Sequence, residues 1–295
     1  MSVILPGDKE LDPEPSLTKK SLRINLNENI YGTFAEIGAG QEVARHFYRA
    51  GGASGTVAKS ISAYDKNFSD QIYGKEEDKR YVTQNRLSKM LDHEMDLLEK
   101  RISRKKYPNR FFFVYANTVA TIDFVKKFKG HGWMGIRFQT SVKDEYSEIS
   151  LHVRFKQNEA KLQQEVLGIM GVNLIYGAFY KHDEPLKMMR YLYDGIDKDA
   201  IEIDTINFNG PLFKEIDNRL ISLELVKLGM TDAVMFNKDG MNVLPAQVLY
   251  KKNILTLRGS FRPVTKVNEE MFKKSYEIFI KEKNVDPEDL SLIHI

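Results

Sequence analysis

The chain has 295 residues, 42% of them hydrophobic and 11% aromatic, enough for one large or two ordinary domains with a real core. Forty-four basic residues against 41 acidic leave a net charge of only +3, which gives no overall electrostatic footprint for duplex nucleic acid. Cysteine is absent, so disulfides, thiolate nucleophiles and cysteine zinc sites are excluded.

Residues 1–20 carry three prolines and few apolar residues and read as a flexible lead without the apolar core of a signal peptide. From Arg23 to Ile30 polar and apolar residues alternate, which predicts a short strand or an extended loop. Gly38 and Gly40 precede QEVARHFYRA, a helical pattern that buries Val43, Phe47 and Ala44. A glycine-rich loop comes next, and then an ambiguous stretch up to Gly74. Thr83 to Arg104 is the clearest helix: Leu87, Met90, Leu91, Met95, Leu98 and Ile102 recur at spacings of three and four, with Thr83 as N-cap.

Phe111–Ala116 is a continuous apolar run, as in a strand buried on both faces. A helix is expected at 119–129, a Gly130-His131-Gly132 turn, then strands at 134–138 and 149–155. Further helices are expected at 158–167 or beyond, 185–193 and 213–228, and strands at 201–206, 233–236 and 255–258. The longest apolar stretch, Gly168 to Phe179, falls short of the roughly 18–20 residues that span a bilayer. Twice a strand ending in Asn leads to a helix, a Gly turn and another strand, the rhythm of βαβ crossovers. The expected fold is α/β, with a mainly parallel central sheet flanked by helices and a mostly helical N-terminal region over 21–105. The α/β body covers 106–289.

The loop Gly51-Gly52-Ala53-Ser54-Gly55-Thr56 can turn several amide groups toward one anion, with Arg45, Arg49 and Lys59 to neutralise it. A helix starting near Val57 would add its N-terminus. The pattern is neither GxxxxGK[ST] nor GxGxxG, and a packing turn between helices explains the same residues. Asn117, Thr118, Asn207, Asn209, Gly210 and Asn237 stand at strand ends, where open α/β sheets collect ligands and where helix caps also occur. Arg258 and Arg262 flank Gly259 and can clamp a phosphate or carboxylate, or form salt bridges.

The histidines form neither HExxH nor HxH, so no histidine metal site is predicted. His93 lies in Asp92-His93-Glu94-Met95-Asp96 on the clear helix, where i to i+4 spacing brings Asp92 and Asp96 together on a face that a cation or simply water can occupy. His131, between two glycines and ahead of the only tryptophan, is the best single candidate for acid–base work. Glu202 and Asp204 lie on one strand face and can hold Mg²⁺ or face solvent. No G-x-S-x-G serine signature is present.

NLNENIYGTFAEIGAGQEVARHFYRAGGASGTVAKSISAYDKNFSDQIYG, with KGHGWMGIRFQ, GVNLIYGAFY, DTINFNGP and RGSFRPVTKVN, resembles a family of longer bacterial cytosolic proteins, over nearly the whole chain. Its members carry two labels, nicotinate-nucleotide adenylyltransferase and TonB-dependent receptor. The receptor label implies a β-barrel of many alternating strands, which this sequence does not show. The transferase label implies ATP with Mg²⁺, yet the H-x-G-H motif of such enzymes is missing, so no catalytic residue is carried over. The last six residues, Leu290–Ile295, match a translated transposon-end adapter used in sequencing libraries, so the natural chain is expected to continue beyond Asp289.

The expectation is a cytoplasmic enzyme that handles a nucleotide or another phosphate-bearing small molecule, plausibly a nucleotidyltransferase. Its phosphate cradle would be Gly51, Gly52, Ser54, Gly55 and Thr56, its charge clamps Lys59, Arg258 and Arg262, and its proton donor His131. No nucleic-acid or membrane partner is expected, and a homo-oligomer is compatible. The alternative is a non-catalytic scaffold, in which the glycines serve packing and the arginines bridge subunits.

Overall fold

The computed structural model describes residues 15–77, 79–125, 128–282 and 285–294. The chain divides into two units, Met1–Ala233 and Val234–Ile295. The first is built on a six-stranded sheet of β1 (Ile30–Gly38), β2 (Val57–Ala63), β3 (Phe111–Ala120), β4 (His131–Phe138), β5 (Ser147–Phe155) and β6 (Ile201–Asn209). Their order is β2-β1-β3-β4-β5-β6. Helices flank this sheet, so the fold class is α/β as expected. Parallel pairing is confined to β2-β1-β3, and the other three pairings are antiparallel.

Connection lengths explain the mixed pairing. One helix, α2 (Glu42–Ala50), carries the chain from β1 back to the start of β2. Between β2 and β3 a short α3 (Lys66–Tyr73) is succeeded by α4 (Gln84–Arg101), long enough to return the chain across the sheet. The helix expected at 119–129 does not form in its described residues. Val119 and Ala120 extend β3 and pair with Gly132 and His131, and the remaining loop is too short for the dozen or more residues a parallel crossover needs. Between β5 and β6 two helices, α5 (Ala160–Tyr180) and α6 (Pro185–Leu192), intervene. The chain leaves and returns at one edge, and the two strands run antiparallel.

The N-terminal expectations change most. RINLNENI is not extended along its length: α1 (Leu17–Asn25), capped by the Ser16 side chain, takes its first three residues, a turn follows, and only Ile30 enters β1. Residues 1–14 of the expected flexible lead lie outside the described residues, while Lys20 is buried and bonded to Asn173 at 2.8 Å and Asp194 at 2.6 Å. A boundary at 105/106 is not observed, because β1 and β2, from before it, pair into the same sheet as β3. Alternation alone did not separate a helix whose buried face is Lys20, Ser21, Ile24 and Asn25 from a strand.

α4 covers β1, β3 and β4 on one face, with Thr83 capping Arg86 N at 3.1 Å. On the other face α5 lies among α1, α2, α6 and β4. It is apolar around most of its circumference and absorbs the Gly168–Phe179 stretch, as a helix buried inside a protein does. A β-carbon on Gly171 would come within 2.4 Å of Val43 Cγ2 and 2.8 Å of the Tyr115 hydroxyl. Gly171→Ala is therefore expected to cost about 1–3 kcal/mol by overpacking, read as a lower urea midpoint.

α7 (Asn218–Lys227) closes the first unit against β6. The second unit holds a two-stranded ribbon, β7 (Met235–Phe236) with β8 (Asn242–Val243), and a short α8 (Pro245–Val248). A βαβ element completes it, of β9 (Asn253–Leu257), α9 (Lys266–Phe279) and β10 (Leu290–His294). β7 belongs to the ribbon, so the second expected crossover into the main sheet is not made. The residues that match an adapter supply β10: 290–294 pair with 253–257 in register.

Candidate active site: a histidine chain across three strands

His131 opens β4, and its neighbours across the sheet define where it sits. Ala120, the last residue of β3, is its partner across the pair, and Gly38 at the end of β1 is level with Val119. His131 therefore stands at the edge formed by the carboxyl ends of β1, β2 and β3, the edge at which open α/β sheets bind ligands. Strand order reverses between β1 and β3, one strand away. The flanking glycines are packing requirements: a β-carbon on Gly130 would meet Gln163 Oε1 at 2.3 Å, and one on Gly132 would meet Val119 Cγ2 at 2.9 Å.

His131 Nδ1 lies 3.0 Å from His152 Nε2. His152 Nδ1 lies 2.7 Å from Asp204 Oδ1. The three residues come from β4, β5 and β6, and register brings them together. His152 pairs with Trp133 on one side and Thr205 on the other. Between His152 and Val153 the register slips, Ile203 facing Val153, so that Asp204 is the extra residue. Such a bulge re-aims a side chain, and here the Asp204 carboxylate reaches His152.

The carboxylate sets the acceptor and donor roles along the chain. An ionised Asp204 can only accept, so His152 carries its proton on Nδ1 and leaves Nε2 bare. His131 must then donate Nδ1–H to that nitrogen, and its own Nε2 is left with a free lone pair. That atom makes no hydrogen bond to the described residues, and His131 is half-buried. Burial, and then the neighbouring His152, push the His131 imidazole down to about 4, while Asp204 opposes them. At neutral pH the ring is uncharged, and a proton taken up at Nε2 can be matched by transfer of Nδ1–H to His152, beside Asp204.

The surroundings hold this chain in place. The Trp133 ring lies 5.1 Å from that of His152. Arg154, opposite His131, bonds Glu202 Oε1 at 2.7 Å and approaches Asp204 Oδ2 at 3.3 Å. Thr231 donates to the same Glu202 oxygen at 2.7 Å. Glu202 and Asp204 are thus engaged by protein donors, which fits neither the Mg²⁺ pair nor the solvated strand face that the sequence left open. No group of three or more metal-ligating side chains occurs among the described residues.

The glycine-rich loop is elsewhere. Gly51 and Gly52 have φ of 85° and 70° and end α2. Gly51, Gly52, Ser54 and Gly55 are exposed, but Thr56 is buried, its hydroxyl donating to Asn25 O at 2.9 Å. The loop leads into β2 and not into a helix, so no helix N-terminus assists. It therefore lies at the amino edge, while His131 lies at the carboxyl edge. The ten residues of β3 separate the two edges by roughly 30 Å.

Of the expected clamps, Lys59 is engaged elsewhere. Lys59 on β2 pairs with the buried Glu94 of α4, and Arg45 pairs with Glu42. Arg258 and Arg262 are exposed residues of the second unit. Asn117 is buried beneath Gly40, whose carbonyl it bonds at 3.0 Å, and Thr118 donates to Tyr81 O at 2.7 Å. Asn207, Asn209 and Gly210 end β6, which runs antiparallel to β5, at the opposite edge from Asn117. Asn237 shapes a turn in the second unit, accepting from Met241 N at 2.8 Å. Asp92 pairs with Arg137, and the His93 ring packs edge-on to Tyr73.

Sequence reasoning singled out His131 and the Glu202–Asp204 pair but missed His152. The signal was there in part, since His152 sits in an alternating strand on the same face as Arg154.

No family model matches the chain, and no curated protein matches it. Among solved structures, one relative is a competence-damaged protein (CinA) superfamily member from Klebsiella pneumoniae. It is 11% identical over 54% of this chain and 93% of that one, with a TM-score of 0.41. A competence or damage-inducible protein from Enterobacter asburiae is 11% identical over 55% and 95%, at 0.42. A CinA superfamily protein from Escherichia coli is 10% identical over 65% and 99%, at 0.37. Likeness at this level carries no argument about activity. No helix of the described residues is long and apolar enough to cross a membrane.

Proposed function

We propose that the protein is an enzyme in which His131 takes a proton from, and returns it to, a small-molecule ligand outside the carboxyl ends of β1 and β3. The observation that carries this reading is the continuous His131–His152–Asp204 chain, with spacings of 3.0 and 2.7 Å and a bare outer nitrogen. Asp204 fixes the tautomer of His152 and stabilises its imidazolium, and His152 gives His131 somewhere to send a proton. Nucleotidyl transfer with ATP is a finer reading within acid–base chemistry. Its phosphates would have to be held by groups near His131, since the glycine-rich loop is at the other edge.

The test is a turnover screen by proton release or uptake on the full chain, over nucleotides and phosphorylated small molecules with and without Mg²⁺. A hit is expected to slow by about 10²–10⁴-fold in His131→Asn and by at least about tenfold in Asp204→Asn. A rate that His131→Asn leaves unchanged, or an empty screen as a scaffold would give, overturns the proposal.

One consequence needs no substrate. Diethyl pyrocarbonate attacks neutral imidazole, and His131 is uncharged well below the ordinary histidine range of about 6.5. Acylation at His131 is expected to persist down to about pH 5, where ordinary exposed histidines become unreactive. His152, with both nitrogens bonded, should stay unmodified. Peptide mass spectrometry reads both.

A further inference from the structure

A second feature lies at the amino edge, independent of His131. The segment from Lys100 to Arg110, KRISRKKYPNR, contains six basic residues and no acidic one. Arg104 is committed to Glu99, and Lys100 approaches Asp96 at 3.9 Å. Lys106 and Arg110 have no carboxylate partner among the described residues. Both line a cleft of about 340 Å³ with Gly55, Tyr107, Asn109 and Glu28.

The Arg110 guanidinium is pre-positioned. It lies 4.2 Å from the Tyr107 ring and 4.3 Å from the Tyr31 ring. Two aromatic faces hold its plane and remove part of its water without supplying a counter-charge. A fork so held, with donors unspent, suits a planar or tetrahedral oxyanion. Lys106 adds a point charge, and its ring contact with Tyr107 at 5.4 Å keeps it in the same place. Gly55 leaves its wall open, since nothing lies within 4 Å of where its β-carbon would stand. Glu28 is the one carboxylate in the lining, an acceptor that repels a bare polyanion and welcomes a hydroxyl.

We propose that this cleft binds a hydroxylated phosphomonoester, of the sugar-phosphate class, with its phosphate on Arg110 and Lys106 and a hydroxyl on Glu28. The glycine-rich loop is thus part of a phosphate site, whose cations are Lys106 and Arg110, while Lys59 is committed to Glu94. Because the cleft and His131 occupy opposite edges of the sheet, either site can fail without the other.

Calorimetric titration of the full chain with ribose 5-phosphate and with inorganic phosphate tests this. Both are expected to bind saturably, the sugar phosphate more tightly. Arg110→Gln and Lys106→Gln should each weaken both ligands by about tenfold or more, the range of a charge-assisted hydrogen bond. Glu28→Gln should weaken ribose 5-phosphate and leave inorganic phosphate unaffected or tighter, and His131→Asn should change neither. Lys106 is exposed, so its variant reports even if Arg110→Gln unfolds. Absence of saturable binding up to about 10 mM, or unchanged affinity in Lys106→Gln, overturns the site. Unchanged sugar-phosphate affinity in Glu28→Gln overturns the hydroxyl contact.

Discussion

Glu36→Gln is expected to stabilise the protein at neutral and mildly alkaline pH, and to leave it nearly unchanged near pH 4. Glu36 is 2% exposed, on the β1 face that looks toward α2. Burial pushes its carboxyl up to about 8, against the lowering effect of hydrogen bonds from Val43 N, Ala44 N and Asn117, while Glu42 adds a smaller push upward. The unfolded chain releases this proton near 4.5. Between the two values the folded state binds more protons, so stability falls as pH rises, by about 1.4 kcal/mol per unit at most. The accumulated loss at pH 7 is ~3 kcal/mol, and a neutral glutamine does not incur it. Below 4.5 the contribution is fully present in the wild type and the two proteins converge.

The donors around Glu36 do not require a charged acceptor. Asn117 Nδ2, 3.5 Å from Glu36 Oε1, can donate to the carbonyl oxygen of a neutral acid or of a glutamine amide. The Val43 amide that donates to Glu36 Oε1 at 3.2 Å would keep its acceptor in the variant. Urea midpoints of both proteins, taken from pH 4 to pH 9, give the difference. A constant offset, or a wild type that gains on the variant as pH rises, would refute the assignment.

Arg86→Met should cost about 3–5 kcal/mol, as breaking a buried ion pair from one side does. The Arg86 side chain is completely buried, 2.7 Å from Asp70 and 3.3 Å from Glu76, with its guanidinium 5.1 Å from the Tyr81 ring. Asp70 and Glu76 are almost as enclosed, and without Arg86 they are left with the Tyr81 hydroxyl on Asp70, the Asn85 amide on Glu76, both at 2.8 Å, and the more exposed lysines Lys75 and Lys89. Adding Asp70→Asn and Glu76→Gln to the same protein should recover a large part of the loss, because the uncompensated charges go with them. The comparison is a chemical denaturation series. A single variant within about 1 kcal/mol of wild type would show that water reaches these carboxylates freely. This cluster joins α3 to α4 and orders Tyr81, whose carbonyl receives the Thr118 hydroxyl two residues before the end of β3.

Elements defined by local pattern were legible in advance. The apolar run at Phe111 has the pattern of a strand buried on both faces, and it lies in the middle of the sheet. Thr83 ahead of a period of three and four has the pattern of an N-cap, and it caps α4. Val43, Ala44 and Phe47 are the buried residues of α2. Burial and helical period are properties of neighbouring residues, and a one-dimensional reading contains them.

Strand direction and the assembly of the site are not such properties. Whether β3 leads into a crossover or a tight return depended on Val119 and Ala120 finding partners in Gly132 and His131. His131 was conspicuous alone, but its acceptor is 21 residues away and the anchoring carboxylate 52 residues further still. Only the register of β4 on β5 and a slip beside β6 bring them within hydrogen-bonding distance. The glycine-rich loop shows the converse: its composition admitted a phosphate cradle, but the fold decided which edge it occupies and which cations it meets. Composition and periodicity determined what each segment would bury, while non-local pairing, whose energy depends on partners far along the chain, decided which polar groups share a site.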